Sequence, residues 1–389
     1  MRALIAFDKF KDALTAQEAC ACASQALLEI DPSIEIETAP LADGGDGFCD
    51  TLTAVANGEF KTREVTGPLD VKTTATYGFV SVSSLQTSAL ELLDLPSNAN
   101  KLAIVELAQT SGIALTPLEN RSPWITNTTG LGELIAHLAD QDTDAILIGL
   151  GGSSTHDLGL CALQAIGYRF YDSANQELKE APIPRYWEKI SRIEAPDVSG
   201  VPAIRIACDV DNPLTGPRGA AAIFGPQKGL QPDDFEKLDR LTSKLATLLS
   251  PDADSDTPGS GAAGGSAFGL SQGLNGKIVS GFQLVDAWTG LSEKLSRADV
   301  VITGEGRFDE SSLGGKGPGS LAKEAIRLGK PAHVLAGSVS ENIANALEFA
   351  TCQAISPKGL PLPTALAQTE QNLSRAIQTL FEKNGSFQP

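Results

Sequence analysis

At 389 residues, with 42 % hydrophobic and 20 % charged side chains, the chain has the composition and length of two ordinary globular domains. Its formal net charge of −18 argues against a nucleic-acid partner, which needs a basic face, but not against a small anion held by backbone N–H groups and a few focused cations. No apolar run approaches the roughly 18 residues of a membrane span, and the run 3–7 is too short for a secretory leader.

In chain order, residues 3–7 read as a strand, and a capping box at Thr15 and Glu18 opens a helix to about Ile30. A second strand over 34–38 leads into the loop 39–47, APLADGGDG. Residues 60–104 hold short β-rich pieces at 73–80 and 101–106. A helix over 131–139, a buried strand over 145–150 and a helix over 157–166 follow, then a strand over 203–207. Residues 233–250 set Phe235, Leu238, Leu241, Leu245, Leu248 and Leu249 on one helical stripe. The Pro-, Gly- and Asp-rich stretch 251–266 reads as a mobile loop. Alternation then resumes: strand 300–303, helix 318–328, strand 333–336, a helix near 340–348, strand 352–356, and an amphipathic helix 364–384 closed by Gly385. This alternation predicts an α/β protein with parallel sheet covered on both faces. The expected organisation is a Rossmann-like parallel-sheet domain built from both chain ends, 1–58 and 285–389, with a second α/β domain, 59–284, inserted between them.

Cys20, Cys22, Cys49, Cys161, Cys208 and Cys352 lack CxxC spacing and sit among apolar neighbours, which predicts reduced packing residues in a cytoplasmic protein. His137, His156 and His333 are isolated, so no zinc set forms, and Trp124, Trp187 and Trp288 read as packing residues.

Five loops are candidates to carry chemistry, each following a strand, where open α/β sheets bind ligands. They are Asp8-Lys9-Phe10-Lys11, the run Ala42-Asp43-Gly44-Gly45-Asp46-Gly47, the run 149–157 (GLGGSSTHD), the stretch 208–229 and the run 303–309 with Lys316 beyond it. In the third, glycines let the backbone approach an anion while hydroxyls donate to it. In the fourth, Asp209, Asp211 and Asn212 precede Arg218 and Lys228, oxygen ligands and cations suited to a magnesium-bound polyphosphate. In the fifth, Glu305, Arg307 and Asp309 mix both charges. Each loop taken singly also reads as an ordinary polar turn. No GxxxxGK[ST] occurs, and the GxGxxG at 259–264 follows no strand, so neither a Walker NTPase nor a dinucleotide fold is indicated.

Taken together the motifs resemble the glycerate kinase type 1 family: FDKFKDALTAQEA (7–19), PLADGGDG (40–47), ELAQTSGIAL (106–115), GLGGSSTHDLG (149–159), CDVDNPLTGPRGAAAIFGPQKG (208–229), PGSGAAGG (258–265) and ADVVITGEGRFDESSLGGKGP (298–318). The resemblance implies ATP-dependent phosphorylation of D-glycerate, usually to 2-phosphoglycerate, in a cleft between two α/β domains. Lys9, Asp12, Asp46, His156 and Leu158 stand where the family usually has Ser, Gly, Glu, Asn and Gly, and residues 127–132 are looser than its TSYGTG-like loop.

Phosphoryl transfer needs positioning and charge neutralisation. The expected polyphosphate donors are Gly151, Gly152, Ser153 and Ser154, helped by Lys228 or Arg218, with Asp209 and Asp211 on Mg2+. Lys11 and Arg307 suit the glycerate carboxylate, and Asp8 or Asp43 the proton of the attacking hydroxyl. Gly44, Gly45, Asp157, Asn212, Gly304, Gly306, Asp309 and Lys316 complete the candidates. The expected ligands are ATP, Mg2+ and D-glycerate; no nucleic acid or membrane partner is expected, and the chain is expected to be a monomer or homodimer. Two other readings share these features: a non-catalytic acid- or nucleotide-binding protein, and an NAD-dependent oxidoreductase, against which the absent dinucleotide fingerprint counts.

Overall fold

In a computed structural model of the chain, the described residues are 1–42, 44–314, 317–340, 342–343 and 350–384. A five-stranded, wholly parallel sheet runs in the order Thr351–Ala354, Ala332–Ala336, Val300–Gly304, Arg2–Phe7, Glu35–Thr38, and so draws on both chain ends. Its central strands are buried along almost their whole length because both faces are covered. Ala3, Ile5 and Phe7 pack into one core with Ala23, Leu27 and Ile377, while Leu4 and Ala6 pack into another with Val301, Leu321 and Val334. The helix Ala16–Ile30 opens with the expected capping box, Thr15 Oγ1 accepting from Glu18 N and Glu18 reaching back to Thr15 N. It turns Ala19, Cys20, Ala23, Ala26 and Leu27 inward, against the sheet and the helix Thr369–Asn384.

The second sheet is mixed, in the order Lys277–Val279, Ala203–Ala207, Ala145–Gly149, Lys101–Glu106, Lys72–Ser81, Glu59–Thr66. Its first four strands are parallel, and the two chain-proximal ones join antiparallel. The edge strand Glu59–Thr66 is exposed over most of its length, and its alternating charges guard that edge against further pairing. The described chain falls into two compact units: Met1–Asp43, Asp50–Val55 and Val285–Pro389 form the first, and Gly44–Cys49 with Ala56–Leu284 the second.

Several elements differ from the sequence-based expectation. The helix expected over 157–166 begins only at Leu160, because Leu158 and Gly159 adopt φ of 56° and 67°, outside helical space. The stretch 251–266 is a surface loop only in its first half; from Gly259 it is buried, and Ala263, Gly264 and Gly265 form a left-handed turn leading into the helix that ends at Leu274. The C-terminal helix is two, Leu362–Ala367 and Thr369–Asn384. Most of the helix expected near 340–348, and Gly385, lie outside the described residues. Among the described residues the cysteines form no disulfide, and no helix is long and apolar enough to cross a membrane.

Candidate active site

In the second unit three backbones meet where strands end. Leu150 N donates to Ala207 O (3.3 Å) and Gly151 N to Gly44 O (3.1 Å). A Cβ on Gly151 would lie 2.3 Å from Gly45 Cα, so only glycine allows the approach. Gly152 follows with φ of 71°, and its carbonyl accepts from Ile113 N (2.8 Å). The candidates Gly44, Gly45, Gly151 and Gly152 thus form one backbone cluster at the C-terminal ends of Ala145–Gly149 and Ala203–Ala207.

The next residues are anchored one by one. Ser153 Oγ accepts from Lys228 Nζ (2.8 Å), which also donates to the Thr155 carbonyl (2.7 Å). Ser154 donates to Ser111 O through both N (2.9 Å) and Oγ (3.0 Å). Asp157 is fully buried and accepts from Thr128 N (2.8 Å), Thr128 Oγ1 (2.7 Å) and Gly159 N (3.2 Å), at the start of the helix Thr129–Ala139. Burial pushes its carboxyl up, partly countered by these donors. Thr242 Oγ1 gives its proton to Leu238 O (2.8 Å), so it accepts from His156 Nε2 at 3.1 Å. That fixes the tautomer, and burial pushes the imidazole down to about 3, leaving His156 neutral. A Cβ on Gly264 would stand 2.1 Å from Thr155 O, so the glycine turn at 263–265 forms the floor under this loop.

Past Ala207, Asp209 turns toward residues 280–282. Its Oδ1 accepts from Ser280 Oγ (3.0 Å) and its Oδ2 from Phe282 N (2.8 Å), capping the helix Gly281–Thr289. Asp211 and Arg218 face each other at 3.7 Å with side chains 84 % and 68 % exposed, a pair of little energetic weight. Asn212 Nδ2 donates to Arg218 O (2.8 Å) and so shapes this turn. Among the described residues no group of three His, Cys, Asp or Glu side chains converges on a metal. Magnesium does not demand one, because it is held by one or two carboxylates together with phosphate oxygens and water. Asp209, oriented on both oxygens, fits such a ligand, and Asp211 pairs with Arg218 at the surface.

In the first unit, loops 8–11 and 304–309 lie side by side. Asp8 N donates to Gly304 O (2.9 Å), Lys9 N to Asp8 Oδ1 (2.7 Å) and Gly306 N to Lys9 O (3.3 Å). A Cβ on Gly304 would strike Leu335 O at 1.7 Å, so that glycine serves strand packing. Arg307 pairs with Asp309 at 3.1 Å yet is 78 % exposed, and Lys11 is exposed as well. Phe308 anchors the loop in the core, and Arg307–Phe308 pairs with Ser338–Val339. Asp43 and Lys316 lie outside the described residues.

Sequence reasoning missed Ser111, Thr128, Thr242, Gly264 and Ser280, each of which holds a candidate residue in place. Ser111 and Gly264 lie inside the motifs ELAQTSGIAL and PGSGAAGG and Thr128 inside the loop 127–132, whereas Thr242 and Ser280 left no signal.

The sequence pattern described as "Glycerate kinase family" matches residues 3–383. A Bacillus subtilis protein named glycerate kinase is 34% identical over 392 residues, covering 98% of this chain and 97% of its own. A glycerate 2-kinase of Escherichia coli is 34% identical over 352 residues, 88% of this chain and 87% of its own. The crystal structure of a putative glycerate kinase 2 from Salmonella typhimurium superimposes with a TM-score of 0.78 at 33% identity, covering 99% of this chain and 98% of that one.

Proposed function

The chain belongs to the glycerate kinase family and is an ATP-dependent phosphotransferase, and from that premise we propose that it moves the γ-phosphoryl group of ATP to the 2-hydroxyl of D-glycerate. The products are 2-phosphoglycerate and ADP. The observation that carries this reading is the glycine cluster at Gly151–Gly152, drawn against Gly44–Gly45 and braced at Ser153 by a buried lysine. Backbone that only glycine can bring so close, followed by a hydroxyl, is a phosphate cradle.

In this reading Gly152 and Ser153 donate to the polyphosphate, and the exposed Arg218 supplies a mobile cation to it. Ser154 and Asp157 support the loop instead of touching the ligand, since their polar atoms are engaged at Ser111 and Thr128. Asp209 would hold Mg2+, which would supply neutralisation of the phosphate charge. Lys11 and Arg307 hold the glycerate carboxylate, their exposure leaving both heads accessible. The glycerate hydroxyl oxygen attacks the γ-phosphorus, the bond to the bridging oxygen breaks, and ADP leaves with that electron pair. Asp8, oriented by the Lys9 N–H, takes the hydroxyl proton. The reaction class is tested by ADP release that requires both D-glycerate and Mg2+. Regiochemistry is tested by proton-coupled phosphorus NMR: a phosphate on C2 couples to one proton and appears as a doublet. A triplet would place it on C3 and overturn this reading.

A further inference from the structure

Lys228 closes the short turn Pro226–Lys228 and is 1 % exposed. Burying an amine is costly unless its protons find acceptors, and two are in place, Ser153 Oγ at 2.8 Å and the Thr155 carbonyl at 2.7 Å. An ammonium has three donors and no acceptor. The direction of the first bond is therefore forced: Ser153 Oγ accepts, and its own proton must go elsewhere. Among the described residues no protein group takes that proton. The charged or titratable groups facing Lys228 are Asp157 and His156, both from the loop it braces, and His156 is neutral.

We propose that Lys228 is a positioning residue of the nucleotide site: as an ammonium it spans Ser153 and Thr155 and obliges the Ser153 hydroxyl to donate to the polyphosphate. The inference rests on the reading that the loop 151–155 receives that polyphosphate. Burial, only partly offset by Asp157, pushes Lys228 down to about 7. A neutral amine carries a lone pair, so above that pH Ser153 turns its proton onto Nζ and withdraws it from the nucleotide. A bound polyphosphate keeps Lys228 protonated, which confines the effect to the free enzyme and hence to kcat/KM.

The test compares kcat/KM for ATP in the wild-type enzyme and in Ser153→Ala, from about pH 6 to about pH 9. No change is made at Lys228 itself, whose loss from the core would threaten folding, and the ionisation of ATP cancels in the ratio. The expected ratio of wild type to variant is about tenfold at the acidic end, the worth of one charge-assisted hydrogen bond, and falls toward one as the pH rises through the lysine's titration. A ratio that stays high at every pH overturns the positioning role while leaving the phosphate loop intact. A ratio of one throughout overturns the phosphate-loop reading as well.

Discussion

Single residues divide here into those presented to ligands and those spent on the fold. Arg307 is of the first kind: its guanidinium is exposed and pairs with Asp309. Arg307→Lys removes the planar fork and is expected to raise KM for glycerate about tenfold, with KM for ATP little changed; a rise confined to ATP would move Arg307 to the nucleotide. His156 is of the second kind. It and His333 are pushed by burial to about 3 and about 4 from an ordinary 6.5. As pH falls below 6.5 the unfolded chain takes up protons that the folded chain refuses, so stability declines through that window and none of the loss appears above it. Melting temperature should therefore drop between about pH 6.5 and about pH 4, and His156→Asn should flatten part of that drop. An unchanged slope in the variant would mean that His156 is not the neutral buried group its bond to Thr242 indicates. The sequence marked position 156 as a departure from its family but not as a strut, because Thr242 lies 86 residues away.

Elements matter through what their ends hold. The helix Gly281–Thr289 begins on the Asp209 carboxylate, so one side chain both caps a helix and stands beside the proposed metal position. Asp209→Ala should cost about 1 kcal/mol of stability along with turnover. Asp209→Asn keeps an acceptor for Phe282 N and should recover most of the stability but not the activity, read by thermal melts and kcat together. Recovery of both would strip the carboxylate's charge of any role with the nucleotide. Regular elements with strong periodicity were legible beforehand: the strands near 145–150 and 203–207, the capped helix from Ala16 and the stripe from Phe235 all stand close to their expected bounds. The glycine turn at 263–265 was not, because a run of Gly and Ala carries no period and owes its burial to contact with Thr155 and Leu158.

At the scale of the whole molecule, each unit has its own sheet and core, and each presents its own cluster of candidate residues. The role assignment predicts a division of protection in hydrogen exchange: ATP with Mg2+ slows amides at 150–154, whereas glycerate slows those at 8–11 and 304–309. The opposite pattern would exchange the two ligands between the units. The sequence by itself determined the family, the reaction class and the parallel sheet shared by both chain ends, because contiguous motifs and strand–helix alternation are written along the chain. Only the tertiary structure decided which motif residues are left for a ligand. Ser154 is taken up by Ser111, 43 residues away, and Asp157 by Thr128, 29 away, whereas Ser153 and Asp209 are oriented by Lys228, 75 away, and by Phe282, 73 away. A hydrogen bond depends on distance in space, and separations of that length leave no mark on local sequence.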